Sequence, residues 1–297
     1  MRIWSCLLCM AAALAMAGCG QDDGARSPAA GAGEVAGDVP AQPAPAAPDA
    51  AVVPALEDVM ERDPRYLVGI SYPAAAREYP GLAVELEAYA RAARADLDEA
   101  VASLGEGRPR APYDLALDFA MLVETPRVVA VAADGSSYTG GAHGNPLVAR
   151  FVWLPEQASM LTADELIADA NGWQALSTHV REQLHAELFE RVDAWDLEPD
   201  ERQQLVRSGG RMIEEGSTPD PANFAHFEPQ MDASGHIRAL RFVFPPYQVG
   251  PYSDGTHHVV VPAEVLLPHV SAEYRGLFAT GGSRIPPLVW SSDFLLR

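Results

Sequence analysis

Lysine is absent from all 297 residues, so arginine supplies every one of the 21 basic side chains. That absence excludes Schiff-base catalysis and the phosphate-gripping lysine of nucleotide enzymes. Against these stand 41 acidic residues, a net charge of −20 and a pI near 4.6. Nucleic acid needs a basic footprint and is excluded as a partner, as is a polybasic grip on anionic lipid. An acidic chain instead draws cationic proteins or ions at long range. Cysteine is almost as scarce: Cys6, Cys9 and Cys19 are the only ones. Long apolar runs are missing too, the longest being Leu7 to Ala17, too short to span a bilayer stably. What is plentiful is ordinary core material, with 48% of residues hydrophobic, which excludes wholesale disorder.

The N-terminus carries an address. Arg2 precedes the apolar stretch with Met10, Leu14 and Met16, a short positive region and a hydrophobic region of signal-peptide length. It ends in Met16-Ala17-Gly18-Cys19, which resembles the lipobox of bacterial lipoproteins, with Met16 where leucine is commoner. The resemblance implies removal of residues 1–18 as a signal peptide and acylation of Cys19, giving a durable membrane anchor. Cys6 and Cys9 leave with the signal peptide and an acylated Cys19 cannot pair, so neither disulfide nor thiolate chemistry is expected. Gly20, not aspartate, follows the cysteine, which by the sorting pattern of such lipoproteins points to the outer membrane, facing the periplasm. The other reading is an ordinary signal peptide that leaves a free secreted protein. Residues 19–55 are rich in Ala, Pro and Gly, as in Ala41-Gln42-Pro43-Ala44-Pro45, and are expected to form a disordered tether.

The globular part is expected to begin near Tyr66. Tyr66–Tyr72 reads as a strand, and Pro80-Gly81 opens a helix with Leu82, Leu86, Tyr89, Ala93, Leu97, Val101 and Leu104 on one stripe. Tyr113, Leu115, Leu117 and Phe119 alternate with polar or small residues, the mark of a half-buried strand. Apolar runs at Val128–Ala132 and Leu147–Trp153 follow, then a second amphipathic helix with Trp173, Leu176, Val180, Leu184, Leu188 and Val192. A short helix is expected around Arg202–Arg207, and strands at Asn223–Phe227, Ile237–Phe244 and His257–Val261, with a hairpin turn at Asp232–Gly235. Grouped strands and helices predict an α+β fold, antiparallel sheets packed with two long amphipathic helices.

Most chemistry-bearing residues have ordinary explanations. His179 and His185 are about 240° apart around their helix, and His257-His258 point to opposite faces of a strand, leaving one to join His226 or His236. No His-x-x-x-His pattern appears, so neither a metal nor another cofactor is expected. Ser136 and Ser137 lie near His143 without a Gly-x-Ser-x-Gly elbow. Gly140-Gly141 lacks the third glycine of a dinucleotide fingerprint.

Two segments stand apart. Ser137-Tyr138-Thr139-Gly140-Gly141-Ala142-His143-Gly144-Asn145-Pro146 has glycines able to take positive φ, turning the chain between strands, with His143 and Asn145 placed to hydrogen-bond the loop to itself. Phe244-Pro245-Pro246-Tyr247-Gln248-Val249-Gly250-Pro251-Tyr252-Ser253-Asp254-Gly255 leaves its ladder at the prolines and presents two tyrosines on a stiffened loop. Both also suit purely structural turns.

These segments resemble the signatures of an exported bacterial family, found in the extracellular part of the anti-sigma factor RsiV and the N-terminal half of the deacetylase PdaC. Tyr138, Gly140, Gly141, Ala142, His143 and Asn145 match one signature, with Gly144 where relatives often carry proline. Tyr247, Pro251, Tyr252, Gly255, Val259, Val260, Val261 and Pro262 match the other. The likeness runs from about Tyr66 to Leu267 and implies an α+β pair, a PdaC-like module over 56–160 and an RsiV-like module over 161–297. The deacetylase relative carries its catalysis in a separate domain whose Asp-rich and His-x-x-x-His motifs are missing here. RsiV recognises lysozyme, a cationic protein, but the sigma-binding segment and membrane span of RsiV have no counterpart in this sequence. The expectation is therefore a non-enzymatic binding module for a lysozyme-type protein or peptidoglycan, with Tyr138, Gly140, Gly141, His143, Asn145, Tyr247, Pro251, Tyr252 and Asp254 forming an acidic docking patch. The alternative is a peptidoglycan hydrolase or deacetylase that uses His143 with a carboxylate such as Asp254.

Overall fold

A computed structural model describes residues 54–279. Cys19 and all but the end of the expected tether lie outside them. The folded part starts earlier than Tyr66: Leu56 is already buried in the core, and strand β1 (Val59–Arg62) forms a hairpin with β2 (Tyr66–Ser71). Asp63 makes that turn by accepting the Arg65 backbone N–H at 2.9 Å.

Helix α1 (Pro80–Ser103) opens on a proline at its first turn, where no N–H is needed, and buries Leu82, Leu86, Ala93, Leu97 and Val101 on the expected stripe. It is a crossover, so β3 (Tyr113–Glu124) lies parallel to β2. The remaining neighbours are antiparallel: β4 (Val129–Tyr138), β5 (Asn145–Leu154) and the two-residue β6 (Ser159–Met160) complete a six-stranded sheet in chain order.

The apolar run at the start of β4 does not alternate because the sheet has something to bury on both faces. Val129, Val131 and Ala133 join the core beneath α1, whereas Val128 and Ala130 join a second core on the opposite side. That second core is built by α2 (Ala163–Leu166), α3 (Ala170–Ala194) and α4 (Pro199–Gly216), with a three-stranded antiparallel sheet of β7 (Phe227–Met231), β8 (Ile237–Phe244) and β9 (His257–Pro262). Asp169 caps α3 by accepting the Gly172 N–H at 2.7 Å, and Leu176, Val180, Leu184, Leu188 and Val192 are buried as the spacing requires.

The fold is α+β with antiparallel pairing dominant and α1 and α3 as its two long helices. Two local readings need correction. The short helix around Arg202–Arg207 is the middle of α4, which runs on through Gly209 and Gly210 because α3 packs against it. The strand expected over Asn223–Phe227 is displaced: Asp220 accepts the Ala222 N–H at 3.0 Å and starts a 3₁₀ turn over Pro221–Phe224, so the strand runs over Phe227–Met231 instead. No helix among the described residues is long and apolar enough to cross a membrane.

Candidate functional site

The first motif is the β4–β5 connection. Gly140 and Gly141 hold φ at 107° and 105°, a region closed to residues with a Cβ, and this reverses the chain within a short loop. The Tyr138 hydroxyl donates to the Gly141 carbonyl at 3.2 Å. His143 Nδ1 lies 3.0 Å from the Gly144 carbonyl, which only accepts, so Nδ1 carries the proton. Nε2 of the neutral ring is then a lone-pair acceptor. Asn145 stands opposite Ser137 on the first rung of the β4–β5 ladder, with its side chain exposed.

The second motif connects β8 to β9. Pro245 accepts from the Gln248 N–H at 3.1 Å and Gly250 from the Tyr247 N–H at 3.0 Å, forcing Tyr247 to φ 74°. A bulky side chain in that region costs of order 1–3 kcal/mol and persists only where the surroundings impose it. Gln248 does so: its amide donates at 2.9 Å to the carbonyls of both Gly216 and Asn223, fastening the loop to the end of α4. Pro251 then leads into a 3₁₀ turn over Tyr252–Asp254.

The two loops meet. Tyr247 donates its hydroxyl to His143 Nε2 at 2.9 Å, and the His143 ring stacks on Tyr252 with centroids 4.2 Å apart and planes 19° from parallel. Tyr247 and Tyr252 are 5.5 Å apart, centroid to centroid. Tyr247 remains 53% exposed, and His143 and Pro251 are exposed as well. Tyr138, Gly140 and Gly141 shape this cluster from behind, while Asn145 marks its border.

Asp254 behaves differently from the sequence expectation. Its carboxylate is paired with Arg191 of α3 at 2.9 Å, and its side chain is mostly buried. It therefore neither orients His143 nor offers a free negative charge, and the surface made by the loops is aromatic. Pattern reading missed Arg191, which stood among the polar residues of an amphipathic helix, and Gln248, which lay inside a motif with nothing to mark it. Among the described residues no cluster of three His, Cys, Asp or Glu side chains could hold a metal ion. An open cleft of about 440 Å³ between α1 and β1–β2, edged by Glu61, Tyr72 and Arg94, includes no residue of either motif.

A DUF3298 family protein from Pseudomonas aeruginosa superposes with a TM-score of 0.50 at 15% identity, covering 76% of this chain and 96% of its own. The chain shares that protein's fold. A DUF3298 member from Bacteroides fragilis is similar at a TM-score of 0.46 and 18% identity, over 74% of this chain and 95% of its own. No family model and no curated protein matches the sequence.

Proposed function

We propose that this chain is a non-enzymatic binding module of the cell envelope, anchored at the outer membrane through Cys19, that meets a cell-wall-related ligand through its joined loops. The ligand class is a lysozyme-type protein or peptidoglycan. The observation that carries this reading is the His143–Tyr247–Tyr252 cluster, in which a strained, exposed tyrosine is held in place by a residue from the other motif. Rigid aromatic rings with a polar tip anchor protein surfaces and the flat faces of other molecules at low entropic cost. A net charge of −20 suits a cationic partner and speeds its approach, though the loops themselves contribute aromatic area.

The enzymatic alternative has less behind it. Both ring nitrogens of His143 are already engaged, by Gly144 and Tyr247, and Asp254 is engaged by Arg191. Isothermal titration of the full chain with lysozyme and with muropeptides is the test. Binding that disappears in Tyr247→Ala supports the module; absence of heat with every one of them at micromolar protein rejects it. Peptidoglycan turnover abolished by His143→Ala would favour the enzyme instead.

A further inference from the structure

The six-stranded sheet ends on one side at β1, which among the described residues pairs with β2 alone. Asp63 and Tyr66 exchange both backbone bonds, at 2.9 and 3.2 Å. Such pairs alternate along an antiparallel ladder, so Glu61 and Val59 also bond to β2, while Met60 and Arg62 turn their N–H and C=O groups outward. Leu56 takes the chain away from that edge. At φ 46° it leaves the strand line, and Pro54 and Ala55 before it line the cleft against α1 with Ala90 and Arg91. Asp58 still follows the line, because it accepts the Tyr72 N–H at 2.9 Å beyond the end of β2.

This edge is complementary to itself. Val59 packs into the α1 core and Glu61 bonds Arg94 at 2.8 Å, so Asp58, Met60 and Arg62 alternate onto the opposite face. All three are exposed, Met60 by 78%. Two antiparallel copies of β1, related by a twofold axis at Met60, set Arg62 of each opposite Asp58 of the other. Glu61, already neutralised by Arg94, falls opposite Val59. Other registers are worse. An axis at Glu61 opposes two carboxylates, an axis at Asp58 or Arg62 opposes like charges, and an axis at Val59 sets Arg62 against Leu56, which has left the strand line. The Met60 axis also puts every outward-facing residue on a bonded rung, giving about six new backbone hydrogen bonds. Gly69, in register with Met60, has nothing within 4 Å of where a Cβ would stand, so the two methionines have flat space to lie in.

We propose that β1 is a docking edge for a second copy of this chain, joined Met60 to Met60 so that two sheets become one across a twofold axis. The backbone bonds supply the strength. Exposed ion pairs add little to that and serve to fix the register and reject other edges. The surface includes no residue of either loop motif and stands independently of the proposed binding face.

Crosslinking tests it on the full chain carrying Cys6→Ser, Cys9→Ser and Cys19→Ser, in which Met60→Cys supplies the sole thiol. On the proposed axis the two thiols come from directly opposed residues, about 5.5 Å apart at Cα and within disulfide reach. Mild oxidation is expected to give a covalent dimer. Without Met60→Cys, the chain is expected to pass from monomer to dimer in sedimentation over about a hundredfold range of concentration, as an interface this short is weak. Arg62→Asp opposes like charges on both outer rungs and is expected to weaken dimerisation about tenfold. Adding Asp58→Arg exchanges the signs and is expected to restore it. Amide exchange at Met60 and Arg62 is expected to slow as concentration rises. The proposal is overturned if the chain stays monomeric and Met60→Cys does not crosslink, or if Arg62→Asp crosslinks as readily. It is also overturned if the charge-exchanged chain, melting as the parent does, crosslinks no better than Arg62→Asp. Amides at Met60 and Arg62 protected equally at every concentration would put a segment of the same chain on this edge and overturn it too.

Discussion

Arg150 of β5 donates its Nε to Glu228 of β7 at 2.6 Å, with each side chain only 5% exposed, so the two sheets are joined through a buried ion pair. Arg241, opposite Glu228 in the β7–β8 register, closes on the second carboxylate oxygen. Arg150 is further satisfied by Asp134 at 3.0 Å and by the Ala149 carbonyl at 2.8 Å. Removing the shared carboxylate leaves the buried Arg150 guanidinium without its shortest contact and beside that of Arg241, which is 38% exposed. Glu228→Ala is expected to destabilise the fold by about 3 kcal/mol, the lower end for a broken buried pair because Arg150 keeps its other acceptors. Urea denaturation measures it, and a loss below about 1 kcal/mol would mean that the interface is wet and the pair ornamental.

The same interface makes stability fall in acid. His226 titrates below its ordinary value of 6.5, because of burial first and Arg150 second, with Asp134 opposing. His258 does so because of burial, then Arg241 and Arg150, with Glu228 and Glu187 opposing. The folded protein therefore withholds protons that the unfolded chain accepts. Their contribution to stability is complete above about pH 7 and is lost as pH falls through 6.5 toward the lowered folded values, by up to about 1.4 kcal/mol per pH unit for each proton. The melting temperature is expected to drop between pH 7.5 and pH 5.5. His258→Asn should flatten that slope; an unchanged slope in both His258→Asn and His226→Asn would assign the acid sensitivity to other groups.

His143→Ala is expected to leave the melting temperature within a few degrees of the parent while removing ligand binding. The residue is exposed and contributes a hydrogen bond and one ring face, together worth about 1–2 kcal/mol at a surface. Calorimetric melting and titration on the same sample read both quantities. A variant that unfolds would make the first loop a structural turn.

Much of this architecture is legible from residue spacing. The stripes on α1 and α3 and the alternation of Leu115, Leu117 and Phe119 reflect burial on one side, and burial on one side is what periodicity records. Periodicity is silent where burial has other causes. β4 is covered on both faces and loses its alternation. β1 is a four-residue edge strand of mixed burial, and α4 carries adjacent glycines that only its packing against Leu188 explains. The motifs were visible as glycine- and proline-rich connectors, but not their union, because His143 and Tyr247 are 104 residues apart and nothing local encodes that contact. Charged residues in patterns are ordinarily solvated, which is why Glu228 and Arg150 gave no sign of their buried pairing, nor Arg191 of its half-buried one.

Tyr247 tests whether backbone strain serves the site. Its φ of 74° suits glycine, so Tyr247→Gly relieves strain of order 1–3 kcal/mol but gives up the hydroxyl bond to His143 and makes the unfolded chain more flexible. The opposing effects are expected to leave stability within about 1 kcal/mol of the parent, with binding lost. Tyr247→Phe, by contrast, keeps the ring and the strain and removes only the hydrogen bond. If binding follows the ring, Tyr247→Phe retains most of it; if Phe and Gly variants lose it equally, the hydroxyl acts by ordering His143.

Anchoring is tested at Cys19. The lipobox reading requires the mature protein to begin at this cysteine and to carry acyl chains, more than one of which is needed for a durable hold. Mass spectrometry of the purified N-terminus is expected to show that modification, and Cys19→Ser to move the protein from the membrane fraction to the soluble one. Because the thiol serves only as the site of acylation, the substituted protein should fold and bind as the parent does. An unmodified Cys19, or cleavage at another position, would leave the folded part unchanged but without its membrane anchor.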